Sequence, residues 1–292
     1  CSILTGKRKN RQTGAKSGAG RTGKRGKNMD SALLPDFSMT EIVETVKGAK
    51  KIFEDSEAAR QIRQKGPADF VTEVDFRVQQ YLSEELARKY PAVQSMGEEK
   101  DNSALDPEGC LWILDPVDGT TNLIHGYRQS CISLALSVRR KVQAAVIYQP
   151  YTEEVFTAER GKGAFLNGKP IHVTRAASLA DSLIDFGTAP YHHEYAEKNF
   201  QSTREIFLHC QDIRRTGSAA FSMALVACGR CEGFYEIYLK PWDYAAGLLL
   251  VQEAGGLVTD FRGNAPDPTG PSAVLATNGR IHEELREYLK NL

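Results

Sequence analysis

No stretch of this chain is apolar for long enough to cross a bilayer, and none has the apolar centre of a secretory leader, so neither a membrane helix nor a signal peptide is expected among these residues. Cysteine is sparse. Six residues (Cys1, Cys110, Cys131, Cys210, Cys228, Cys231) spread over 292 make no disulfide framework and fit a reducing, cytoplasmic setting. Cys228-Gly-Arg-Cys231 is the one CxxC, and with no second pair and no histidine pair at zinc spacing it reads as ordinary thiols near a helix end. His192-His193 reads as part of a loop. No internal repeat is evident. Acidic residues are missing altogether from residues 1–28, which hold nine Lys or Arg, so the formal net charge of zero hides a body with 28 basic and 37 acidic side chains. A body this acidic argues against nucleic-acid binding through a basic face and suits cations, or phosphate esters presented with metal.

What is present begins with that basic segment. It has almost no apolar residues and precedes Met29, where an ordinary protein N-terminus begins, so 1–28 is expected to be a disordered basic tail, either native or a non-native extension. Within it, Gly18-Ala-Gly20-Arg-Thr-Gly23-Lys24 matches both a dinucleotide fingerprint and most of a phosphate-binding loop. Position 25 is Arg where magnesium binding needs Ser or Thr, and no apolar strand precedes the glycines, so neither match carries a site. An arm for RNA or an anionic surface is the alternative use.

The chain as a whole, at 41% hydrophobic and 25% charged, is globular in composition. Helical spacing predicts an amphipathic helix from Thr40 to about Ala59 and another from Phe76 to Tyr90, with a break at Lys65-Gly66-Pro67-Ala68. Strands are predicted over 110–114, 131–138 and 142–148, then a hairpin through Asn167-Gly168. Farther on, strands are expected over 181–186, 211–215, 256–260 and 273–277, and helices over 219–228, 244–254 and 280–292. This uneven alternation predicts an α+β fold of layered helices and mixed sheets rather than a doubly wound parallel one.

Carboxylates stand beside Gly, Thr or a strand end in four places: Glu98-Glu99; Asp115-Pro-Val-Asp118-Gly119-Thr120; Asp243 at a helix start; and Asp69 and Asp75 around Val71-Thr72. Buried acids need compensating charge. Hard divalent cations take oxygen ligands, and magnesium relies on few protein ligands plus substrate phosphate. Pro116 fixes a turn that lets Asp115, Asp118 and the Val117 carbonyl face one point, and the helix start at Gly119-Thr120 offers amides to a phosphate. Taken one at a time, the same acids also read as turn formers or helix caps.

The chain resembles the inositol monophosphatase family of magnesium-dependent, lithium-sensitive phosphatases over roughly Thr40 to Leu292. The resemblance rests on Asp69-Phe-Val-Thr-Glu-Val-Asp75, Gly97-Glu-Glu99, Trp112-Ile-Leu-Asp-Pro-Val-Asp-Gly-Thr-Thr-Asn122, Gly217-Ser-Ala-Ala220, Trp242-Asp-Tyr-Ala-Ala-Gly247 and Glu253-Ala-Gly-Gly256. It implies a layered αβαβα sandwich, usually dimeric, spanning 29–292, with a metal-binding half to about residue 175 and a substrate-side half from about 176. It further implies two or three Mg2+ ions on Glu98, Asp115, the Val117 carbonyl, Asp118 and Asp243, with Asp75 on an outer metal or its waters. Gly119 and Thr120 would hold phosphate, Thr120 with Glu98 would activate a water for direct attack, and Ala219 and Glu236 would meet a sugar or cyclitol. Lys65 matches a family lysine only approximately. Thr120-Thr121-Asn122 favours inositol monophosphate as substrate over the 3′(2′),5′-bisphosphate nucleotidase branch, with fructose 1,6-bisphosphate, NADP and histidinol phosphate also within the family. A non-catalytic regulator that binds RNA through its tail is the reading from another class.

Overall fold

The structure, a computed structural model, describes residues 34–66 and 69–292. The basic tail with its glycine-rich motif, and the Pro67-Ala68 part of the expected break, lie outside the described residues.

Helix α1 (Met39–Gly48) starts under Ser38, whose hydroxyl accepts from the Glu41 amide, and buries Ile42, Thr45 and Val46. The helix predicted to reach Ala59 breaks at Ala49. It resumes only as α2 (Lys50–Phe53), followed by a 3₁₀ turn at Ala58–Arg60. The cause is local: Asp55 Oδ1 accepts from the Glu57 and Ala58 amides at 3.1 Å, an alternative to helical pairing. After a two-stranded hairpin, β1 (Ile62–Gly66) against β2 (Asp69–Thr72), α3 runs over Glu73–Lys89. It begins three residues before the predicted Phe76, because Thr72 and Asp75 form a capping box.

Seven strands build the first sheet: β3 (Gln94–Gly97), β4 (Cys110–Asp118), β5 (Cys131–Val138), β6 (Lys141–Gln149), β7 (Glu154–Glu159), β8 (Gly163–Leu166) and β9 (Lys169–Ile171), in that spatial order. Only β3–β4 is parallel. A short helix, α4 (Thr120–Ile124), follows β4. The Asn167-Gly168 turn has φ of 49° and 76°, the doubly positive geometry its sequence predicts.

The second half contributes β10 (Leu183–Phe186), α5 (Ala196–His209), β11 (Asp212–Arg214), α6 (Ala219–Ala227), β12 (Gly233–Leu239), α7 (Pro241–Glu253), β13 (Leu257–Thr259), β14 (Ser272–Thr277) and α8 (His282–Glu287). Its sheet is mixed, in the order β11-β10-β12-β14-β13. Strands β3 and β12 and helix α5 were not expected from the pattern, and the predicted C-terminal helix is helical only over α8.

Three cores stack through the molecule. Trp112, Leu114, Leu134 and Val146 pack on α1 and α3, while Leu111, Ile113, Ala135 and Ile147, on the opposite face, pack on α6 and α7. Phe234, Val274 and Ala276 close that central core from the second sheet, and Ile184, Tyr235 and Leu275 face outward to Ile206 of α5 and Leu285 of α8. This is the αβαβα sandwich. Helix α7, caught between two sheets, is buried without interruption from Tyr244 to Val251, as a helix with no solvent face must be.

Candidate active site

Asp115 and Asp118 lie three residues apart on β4, and in a regular strand such residues face opposite ways. The ladder pairs Asp115 with Ser133 and Asp118 with Cys131, three steps against two, so β4 carries one extra residue. That bulge reverses the parity. Val117 turns into the outer core with Trp112 and Leu114, and both acids address the central helices. The Val117 amide donates to Asp115 Oδ1 at 2.9 Å and fixes the turn.

Asp118 and Asp243 each meet a helix start. Asp118 accepts the Ser218 hydroxyl (2.7 Å) and the Ala220 amide (2.6 Å) on Oδ2 and the Ala219 amide (3.3 Å) on Oδ1, so it sits at the positive end of α6. Asp243 caps α7 by accepting the Lys240 amide on Oδ2 at 2.6 Å, and its carboxyl also feels Asp118 and Glu98. The capping reading of Asp243 is therefore correct and compatible with membership of the acid set. Glu98 follows β3, its amide bonded to the Leu114 carbonyl. Lys65 reaches in from β1, with its ammonium 2.7 Å from Glu99, 3.3 Å from Glu98 and 3.8 Å from Asp69.

Burial pushes all four acids upward. Glu98 rises to about 7, with Lys65 opposing the shift and Glu99 and Asp75 adding to it. Asp118 rises to about 6 despite its donors. Asp115 and Asp243 stand well above the usual carboxylate range, through burial and then through the neighbouring acids. For Lys65, burial works against the charge, but Glu98, Glu99 and Asp69 outweigh it and raise its pKa. One lysine does not balance this many acids.

Asp75 is fully buried and takes the Thr72 amide (2.8 Å) and hydroxyl (2.6 Å) on Oδ2, with the Thr120 hydroxyl 2.9 Å from Oδ1. Thr120 Oγ1 also lies 3.1 Å from the Val117 carbonyl, so its one proton serves one of two acceptors. Gly119 caps α4 at φ 94°, and a Cβ there would meet the Gly217 carbonyl at 3.1 Å, so glycine is required on two counts. Ala219 opens α6. Glu236 lies in the middle of β12, only 7% exposed, with Oε1 accepting the Ala189 amide at 2.8 Å; burial raises it to about 7, with Arg215 opposing and Asp118 adding.

Two neighbours escaped the sequence. The Ser218 hydroxyl on Asp118 had a signal, a serine immediately before an apolar helix. Tyr191 had none: its side chain is 51% exposed, yet the packing around its phenol and then the charges of Glu98, Asp69, Asp243 and Asp115 raise that group, which places it toward the acids from the second half. Cys228 and Cys231 form no disulfide, and burial raises both thiols. His192 pairs with Glu194, and His193 opens a 3₁₀ turn, His193–Tyr195, where a loop was expected.

Among the described residues, no three His, Cys, Asp or Glu side chains close on one point as a metal shell. The acids are instead close enough to feel one another's charge. An all-oxygen set of mutually repelling carboxylates beside a helix start fits magnesium, which leaves much of its shell to water and phosphate.

The chain matches the model of the inositol monophosphatase family over residues 37–292. It is 39% identical over 230 residues to an inositol-1-monophosphatase of Rhizobium meliloti, covering 79% of this chain and 86% of that one. It is 38% identical over 237 residues to the Nus factor SuhB of Escherichia coli K12, covering 78% and 88%. The crystal structure of the extragenic suppressor protein suhB from Bartonella henselae superposes with a TM-score of 0.79 at 34% identity, over 86% of this chain and 98% of that one. Fold and relatives together define a phosphoric monoester hydrolase. The chain belongs to the inositol monophosphatase family.

Proposed function

We propose that this phosphatase hydrolyses a small polyol phosphate, inositol monophosphate foremost, by direct attack of water with magnesium bound. The observation that carries the reading is that Glu98 after β3, Asp115 and Asp118 on β4 and Asp243 at the start of α7 stand close enough to feel one another's charge. Those four carboxylates and the Val117 carbonyl would hold two or three Mg2+ ions, whose chemistry is to polarise the phosphoryl group and lower the pKa of water. The remaining work falls to the chain. The Gly119 and Thr120 amides orient the phosphate at the start of α4. Asp75 holds the Thr120 hydroxyl, which with Glu98 aligns the attacking water, and a Glu98 oxygen accepts its proton. Ala219 and Glu236 contact the polyol, Glu236 as an acceptor for a hydroxyl.

A homodimer in the cytoplasm, with a metal-binding half to about residue 175 and a substrate-side half beyond it, completes the reading. The test is phosphate release from inositol 1-phosphate, fructose 1,6-bisphosphate, adenosine 3′,5′-bisphosphate and NADP, with magnesium, with and without lithium. Fastest, lithium-inhibited turnover of inositol 1-phosphate is expected, and no release from any of the four overturns the proposal. A second reading, a regulator that contacts RNA, draws on the relative named Nus factor SuhB and on the nine basic residues of the tail. A salt-sensitive RNA mobility shift by a chain that releases no phosphate would favour it.

A further inference from the structure

Asp185, next to the end of β10, has no part in the chemistry above, yet it is 1% exposed and surrounded by donors. Its Oδ1 accepts the Phe186 amide at 2.8 Å and the Thr216 amide at 3.1 Å. Its Oδ2 accepts the Thr216 hydroxyl and lies 2.7 Å from the Ser222 hydroxyl, which is itself 2.8 Å from the Ser218 carbonyl. An ionised carboxylate only accepts, and this one is met by donors on both oxygens.

All these partners except Phe186 belong to the stretch that turns into α6. The Thr216 carbonyl accepts from Asn122 Nδ2 at 2.9 Å, which ties the same stretch to α4. Gly217 follows at φ 85°, and the next three residues, Ser218, Ala219 and Ala220, supply a hydroxyl and two amides to the carboxylate of Asp118. Strand β10 thus reaches the acid set through one buried side chain. Two residues farther along, a Cβ on Gly187 would fall 2.0 Å from the carboxyl of Glu236, so the same strand end also abuts the proposed polyol acid.

We infer that Asp185 is a positioning residue, which locks Thr216 and Ser222 so that the Ser218 hydroxyl and the first amides of α6 hold Asp118 in place. The inference rests on Asp118 being a working member of the site, as proposed above. Removing the carboxylate leaves the Thr216 amide and hydroxyl without their buried acceptor and the Ser222 hydroxyl with the Ser218 carbonyl alone, and the turn loses its anchor.

The experiment compares the full chain with Asp185→Ala and Asp185→Asn. Asparagine keeps an oxygen for the two amides, and its NH2 donates to the two hydroxyls, which rotate to accept. Amide hydrogen exchange in metal-free protein is the first readout. In Asp185→Ala, the Ala219 and Ala220 amides are expected to exchange about tenfold faster while amides of β5 hold their rates, and Asp185→Asn to restore protection. Turnover of inositol 1-phosphate is the second: kcat falls about tenfold in Asp185→Ala with KM little changed, and recovers in Asp185→Asn. Unchanged exchange at Ala219 and Ala220 overturns the inference, as does a uniform rise that includes β5. If Asp185→Ala does not fold, Thr216→Val, which removes one hydroxyl contact, must show the same local loss. Because exchange is read without turnover, inactivity of the wild-type chain would count against the proposed function alone.

Discussion

Glu236→Gln separates what a buried acid does for function from what it costs the fold. Glutamine keeps the oxygen that accepts from Ala189 and discards the charge. Burial lifts Glu236 from 4.5 to about 7, so the folded chain binds a proton that the unfolded chain has released between those values. The sign follows: a carboxyl raised on folding contributes stability that is full below its unfolded pKa and is lost as pH rises through its folded one. At about 1.4 kcal/mol per pKa unit, Glu236 should cost metal-free protein about 3 kcal/mol at pH 8. Urea denaturation in EDTA at pH 4.5 and pH 8 measures this. The variant is expected to match wild type at the lower pH and to exceed it by up to about 3 kcal/mol at the higher, with kcat/KM for inositol 1-phosphate reduced. A variant no more stable than wild type at pH 8 would refute the reasoning, since the buried charge would then carry no penalty.

Asp115→Asn keeps the acceptor for the Val117 amide, so it should fold, melt higher than wild type in EDTA at pH 8 and lose about a thousandfold in phosphate release with magnesium. The wild-type melting temperature in EDTA should fall as pH rises through about 6 and about 7, where Asp118 and Glu98 lose their protons, and added magnesium should flatten that slope. Gly168→Ala should lower stability by about 1 kcal/mol through its positive φ alone, since nothing lies within 4 Å of the added carbon, with phosphatase activity unchanged.

The acids could be found in the sequence because each sits beside a turn signal, and the Asn167-Gly168 hairpin because its turn type demands those two residues. The central helices α6 and α7 were visible as apolar runs. What stayed hidden lacks the usual contrast between inner and outer residues. Helix α5 buries Asn199 and Thr203 beside Ile206, so its inward stripe reads as polar. Strand β12 carries Glu236 inward among Phe234 and Tyr235, and a buried charge there erases the strand pattern. Asp75 looked like a metal ligand and Asp243 like either ligand or cap. Both cap helices through one oxygen while facing site residues, a double duty that spacing alone does not reveal.

The extra residue in β4 has a consequence for how this protein can change over time. Exchanging one side chain for another leaves Asp115 and Asp118 on a common side, but removing a single codon between them would straighten the ladder, and although both acids would still share a face, the turn that the Val117 amide closes on Asp115 would be gone. The window from 115 to 118 should therefore admit variation in letters and refuse variation in length.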